Sequence, residues 1–169
     1  KNFFRFLFHV LYGRIRLISS ENNLSFKKIQ VNKLLIDNKE YDIKNNIYEI
    51  SDARIYTDLI GHVAIIKDNY ILPEISYQQV DGELKNISFN KVLKNGTTRF
   101  KKNINGNILS LAQGATGNNY FHFLFDVITK LIIFEEKLAI KDIDYFYMPN
   151  NFEWQKRIIS KFDIPENKL

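Results

Sequence analysis

An α/β domain preceded by a β-rich segment is the architecture this sequence predicts, and three observations carry it. Residues 107–162 read strand, helix, strand, helix, the order that builds a parallel layer covered by helices. Residues 27–106 hold short apolar or alternating runs separated by turn dipeptides. Third, 14% aromatic content within an ordinary balance of 45% hydrophobic and 25% charged residues gives 169 residues enough apolar surface for a packed core, which argues against disorder. The expected division is 1–26, a basic amphipathic helix with its linker; 27–106, β-rich with hairpins and loops; and 107–169, the α/β layer.

The first element is Phe3-Phe4-Arg5-Phe6-Leu7-Phe8-His9-Val10-Leu11-Tyr12. It is half the roughly twenty residues that a membrane span needs. Arg5 and His9 interrupt it, and Gly13-Arg14-Ile15-Arg16 is not the small-residue flank of a signal peptide. The expectation is a short amphipathic helix resting on a membrane surface or on its own domain. Packing on its own domain is the commoner outcome for such a helix, and charge leaves room for the membrane. The net charge is +5, but residues 1–33 carry seven basic side chains against Glu21, a balance of +6, so the rest of the chain sums to −1. A basic terminus on a nearly neutral fold argues against nucleic acid, which asks for a basic face on the domain itself. It suits an anionic surface or a phosphorylated acceptor. The expected location is the cytoplasm, with membrane contact through residues 1–16. With no cysteine there are no disulfides or thiolate metal sites, and a reducing compartment fits.

Strands are expected at 29–36, 53–58 and 62–67, the last paired through Asp68-Asn69 with 70–75 as a tight hairpin. Pro73 places that second strand at an edge or ends it early. Residues 76–106 read as loops with a short helix or hairpin, with Asp81-Gly82 and Asn95-Gly96 as turn signals. Asn107 to Ala112 is a strand, and Gln113 to Asn118 a glycine-bearing connector. The strongest helix runs from Tyr120 to Leu138, with Asn118 or Asn119 as its N-cap. Its expected buried face is Phe121, Leu124, Phe125, Ile128, Leu131 and Ile132. Residues 143–148 form the next strand, ended by Pro149. Phe152 to Phe162 is a second helix, with Trp154, Ile158 and Ile159 inward.

One stretch concentrates chemistry: Gly117-Asn118-Asn119-Tyr120-Phe121-His122-Phe123-Leu124-Phe125-Asp126. His122 and Asp126, four apart on the helix, share a face. They follow a strand and a glycine-bearing loop, where open α/β sheets bind ligands and where free backbone N–H groups favour an anion. An imidazole takes a proton from a hydroxyl near neutral pH, and a carboxylate beside it orients the ring. On spacing alone such a His–Asp pair is more often structural; the position after the strand brings the catalytic reading level with it. His9 and His62 stand alone, and three histidines without cysteine make no zinc site. Gly114-Ala115-Thr116-Gly117 lacks the Gly-Lys-Ser/Thr ending of a phosphate-binding P-loop. Asp142-Ile143-Asp144 reads as a solvated turn before a strand. Three Asn-x-Ser/Thr triplets read as chance in an asparagine-rich chain.

The run Asn119-Tyr120-Phe121-His122-Phe123-Leu124-Phe125-Asp126-Val127-Ile128, continuing through Lys130-Leu131, resembles the central motif of the family-61 glycosyltransferases. That motif runs approximately Asn-Tyr-x-His-aromatic-x-x-Asp, then an apolar residue and a Pro-Arg-Leu-like stretch. Here Thr129 and Lys130 stand in the proline and arginine places. Asp144 to Pro149 looks like the family's next strand and Trp154 to Ile164 its next helix, with Asp163 where a glycine usually precedes the last apolar residue. Val63 to Glu74 resembles its upstream hairpin. The resemblance covers about residues 50–169. It implies the N-terminal Rossmann-like half of a GT-B enzyme, inverting, using a nucleotide-sugar donor and a glycan or lipid-linked acceptor in surface or capsular polysaccharide synthesis. It implies no metal and no cofactor. His122 and Asp126 carry over as catalytic, and Asn119 as shaping the loop or binding; Gly117, Asn118 and Tyr120 are the accompanying substrate-binding candidates. The donor domain is expected beyond Leu169, leaving the fragment inactive alone. Two other classes fit the residues: an acyltransferase using His-x-x-x-Asp, which usually continues with glycine in a loop, and a non-catalytic carbohydrate-binding domain.

Overall fold

A computed structural model describes residues 2–18, 24–57, 61–80, 82–112, 118–148, 150 and 152–169. The chain opens with helix α1 (Asn2–Tyr12), closed by Gly13, whose N–H donates to the His9 carbonyl at 3.0 Å with φ +78°. Then follow β1 (Arg16–Leu17) and the long hairpin β2 (Lys27–Ile36) and β3 (Lys39–Glu49), joined by Asp37-Asn38 at φ 48° and 61°. Next come β4 (Arg54–Thr57), β5 (His62–Lys67), β6 (Tyr70–Ile71), β7 (Tyr77–Val80), β8 (Glu83–Leu84) and the short helix α2 (Lys91–Asn95). The last part is β9 (Ile108–Ser110), α3 (Tyr120–His122), a π-helical segment (Phe123–Ile128), α4 (Thr129–Glu135), β10 (Tyr145–Tyr147) and α5 (Glu153–Ile159). Among these helices none is long and apolar enough to cross a membrane. The expected mixed α/β class is what the described residues form.

The chain groups into two compact units, residues 1–25 with 50–104 and residues 26–49 with 105–169. These differ from the divisions at 26/27 and 106/107 that the sequence suggests. The reason is long-range contact by the β2–β3 hairpin: Ile47 packs on the core of the second unit, and Leu35 N–H donates to Glu136 Oε1 at 2.9 Å.

In the first unit, β5 is the centre of one sheet, in the order β1-β6-β5-β7-β8 with β4 also paired to β5. The β5–β6 hairpin turns at Asp68-Asn69, both at positive φ (48° and 64°), as a two-residue turn requires. Pro73 begins a 3₁₀ turn, so β6 ends after Ile71. Ile15, Ala64, Ile66, Ile71 and Val92 are the core. Buried Asn90 is fully used: its Nδ2 donates to the Val63 and Tyr77 carbonyls, and its Oδ1 accepts from Val92 N–H at the start of α2.

In the second unit, β9 pairs with β10 in parallel, with Ile108, Leu109 and Ser110 opposite Tyr145, Phe146 and Tyr147. The chain between them holds the α3–π–α4 helix, so 108–147 is a β-α-β unit followed by α5. Asp144 Oδ2 accepts from Asn107 N–H at 2.7 Å and fixes the start of β9, which occupies the carboxylate of the Asp142-Ile143-Asp144 turn. Leu111, Phe123, Val127, Leu131, Phe134, Phe146 and Ile159 form the core.

Of the helix face expected to be buried, Leu131 is in the core as expected, and the rest is corrected. Phe123, Val127, Leu131 and Phe134 point inward, while Phe121 and Phe125 are exposed and Leu124, Ile128 and Ile132 are half-buried. This helix is apolar around most of its circumference, so two stripes fit the same periodicity, and packing on the strands selects one. After α5 a 3₁₀ turn ends at Asp163, which adopts the left-handed conformation (φ 55°, ψ 28°) and turns Ile164 into the core. Asp163→Val is expected to be less stable than Asp163→Gly by about 1 kcal/mol or more, because a branched side chain is disfavoured at positive φ. Paired urea melts check this.

Candidate active site

Asn119 is the residue on which the site is built. Its extended backbone (φ −95°, ψ 114°) precedes the helix, and its Oδ1 accepts from His122 N–H at 3.2 Å. Its carbonyl accepts from Phe123 N–H at 3.0 Å. One asparagine therefore starts the helix and fixes the backbone of His122. Asn118 lies exposed in the preceding turn. Gly117, like the rest of 113–117, lies outside the described residues, as do Pro149, Asp58 and Asp81.

His122 Nδ1 and Asp126 Oδ2 are 3.0 Å apart. Their side chains are 39% and 28% exposed, reachable from solvent but partly enclosed. Because a carboxylate only accepts, Nδ1 carries the hydrogen of this bond, and Nε2 is left as the proton acceptor of the neutral ring. The bond spans the junction between α3 and the π segment, which begins at Phe123 and contains Asp126. Single π turns inside α-helices are rare and recur at functional sites, and here the irregular turn coincides with the paired side chains.

Rows four residues apart define the surroundings. On one side of His122 and Asp126 lie Phe123 and Val127, both in the core. On the other lie Phe121 and Phe125, exposed, with ring centroids 4.4 Å apart, and Phe121 also meets the His122 ring edge-on at 5.8 Å. Tyr120 is exposed, its ring 5.3 Å from that of Trp154. His122, Asp126, Asn119 and Tyr120 thus belong to one short stretch of surface. The hollow on the β2–β3 hairpin, lined by residues such as Lys28, Gln30, Ile43 and Asn46, includes none of them.

The same row continues to Lys130, which has no assigned role in the sequence reading. Its Nζ donates to the Ala112 carbonyl at 3.2 Å, two residues beyond the end of β9. Burial lowers its pKa from the ordinary 10.5 to about 8, and the charge of Asp126 opposes that shift. The four-residue step from Asp126 is visible in the sequence; the contact with Ala112 is not, because it joins separate elements. Below about pH 8 the ammonium is charged whether the chain is folded or unfolded, and the folded chain bears the burial cost. Between about 8 and 10.5 the folded chain loses this proton first, so the residue's contribution to stability rises with pH. Lys130→Met is expected to stabilise the fold at neutral pH by roughly 1–2 kcal/mol. That advantage should shrink to nothing towards pH 10.5, which denaturation across this range measures.

Comparison of the chain with protein-family models, with curated proteins and with solved structures finds no match.

Proposed function

We propose that this chain is the acceptor-side, Rossmann-like half of an inverting GT-B glycosyltransferase, and that His122 is its general base. The hydrogen bond between His122 and Asp126, at the head of the helix that follows β9, is the observation that carries this reading. Nε2 accepts the proton of an acceptor hydroxyl. The freed oxygen forms a bond to the anomeric carbon of a nucleotide-sugar. The bond from that carbon to the nucleotide breaks, the nucleotide leaves with its electrons, and configuration inverts. Asp126 orients the ring and stabilises the imidazolium formed.

Three further features support the reading. The parallel β9–helix–β10 unit is the repeating piece of a Rossmann-like layer, and the helix start beside its strand end is where such layers bind ligands. Asp163 holds a positive φ at the place where the resembling family usually has glycine, so the departure keeps the conformation that glycine serves. The pair sits within a helix, whereas the acyltransferase motif with the same spacing usually lies in a loop. A nucleotide-sugar and a glycan or lipid-linked acceptor are the substrates that follow, in assembly of a surface polysaccharide. Sugar transfer by the intact protein, with and without His122, tests the proposal.

A further inference from the structure

Helix α1 is amphipathic, but its apolar side faces outward. At about 100° per residue, Phe3, Phe4, Phe6, Leu7, Val10 and Leu11 fall within an arc of roughly 160°. Phe3 and Phe6 are 72% and 68% exposed, and Phe4, Val10 and Leu11 are also exposed. The opposite side holds Arg5, Phe8, His9 and Tyr12. Phe8 is buried against Tyr12 and Phe100, and His9 approaches Gly96 so closely that a Cβ there would lie 2.7 Å from the ring. The inward side therefore anchors the helix to its unit, while on the outward side only Leu7 is half-buried and the other five side chains are exposed. Residues 100–102 extend the surface: Phe100 is 76% exposed, Lys101 Nζ lies 5.3 Å over the Tyr12 ring, and Lys102 is exposed. Arg14 and Arg16, exposed, follow the helix.

We infer that α1 lies in the interface of an anionic lipid bilayer, with Phe3, Phe6 and Val10 buried among the acyl chains and Arg14, Arg16, Lys101 and Lys102 facing the headgroups. A continuous aromatic and aliphatic face next to cations that make no salt bridge among the described residues is the composition of an interfacial helix. Charge selects a bilayer over a protein groove. Arg14 and Arg16 directly follow α1 and Lys101 lies over the Tyr12 ring, with no acidic side chain on α1 or among residues 13–18 and 99–102, a charge balance suited to an extended negative surface. The eleven residues of α1 are long enough to lie flat on such a surface. This inference is independent of the transferase reading.

Co-sedimentation with phosphatidylcholine vesicles, with and without phosphatidylglycerol, tests it. Binding is expected to the anionic vesicles, weaker to phosphatidylcholine alone, and to fall with added salt. Phe3→Ser with Phe6→Ser should reduce affinity roughly 30-fold or more, and Arg14→Gln with Arg16→Gln roughly tenfold or more. All four side chains are exposed, so the thermal transition should not move, and the charge variant reads the interface without touching the helix's apolar residues. No binding to anionic vesicles, or equal binding by wild type and both variants, would overturn the inference. So would a stable dimer that Phe6→Ser splits, which would assign the face to a second copy of the chain.

Discussion

Phe123→Ala is expected to destabilise the second unit by about 3–5 kcal/mol, while Phe125→Ala, two residues on, is expected to cost less than about 1 kcal/mol. Phe123 is 2% exposed, packs in the core with Leu111, Val127 and Leu131, and meets Trp154 edge-to-face at 5.0 Å. Its removal leaves a cavity that strands on one side and α5 on the other cannot close without moving. Phe125 is 60% exposed and touches mainly Phe121. Equilibrium urea denaturation of the two variants reads the difference directly. Periodicity alone predicts the opposite order, since it puts Phe125 and not Phe123 on the buried face. The pair of measurements therefore decides which side of this helix is the core, and with it the side on which His122 and Asp126 stand.

What the sequence makes legible here follows from how local each interaction is. The Asp68-Asn69 hairpin, the Asn119 cap and the stop at Pro73 depend on residues within four positions of each other, and all three are in the structure. The His122–Asp126 bond is local in the same way. Strand β3 was hard to see because it is mostly exposed on both faces, so Lys39 to Glu49 shows no clean alternation. Its signal was the turn: Asp37-Asn38 has the same spelling as Asp68-Asn69 and the same positive φ. The choice of helix face, the contact of Lys130 with Ala112 and the grouping of the β2–β3 hairpin with 105–169 rest on pairings far apart in the chain. Local pattern does not contain them. The outward apolar face of α1 is a mixed case: its amphipathicity was legible, but which side faces its own unit depends on Phe8, Tyr12 and Phe100 meeting.

The second large effect is catalytic. Asp126→Asn keeps the size of the side chain but can offer Nδ1 an amide N–H as well as an oxygen, so it no longer enforces the tautomer with Nε2 free, and it removes the charge that stabilises the imidazolium. Turnover is expected to fall by about 10²- to 10⁴-fold, the usual contribution of a positioned general base. The effect should lie in kcat more than in KM, because Asp126 acts on the proton transfer and not on acceptor binding. Stability should change little, since the side chain is partly exposed and outside the core. Lys130 should not offset the loss, because its Nζ is held by the Ala112 carbonyl.

The most direct measurement is transfer from a panel of labelled nucleotide-sugars by the intact protein and by its His122→Ala form, each shown to be folded by its thermal transition. The account predicts transfer by the first and a loss of about a thousandfold in the second, with unchanged melting. A folded His122→Ala protein that keeps near-normal turnover would contradict it.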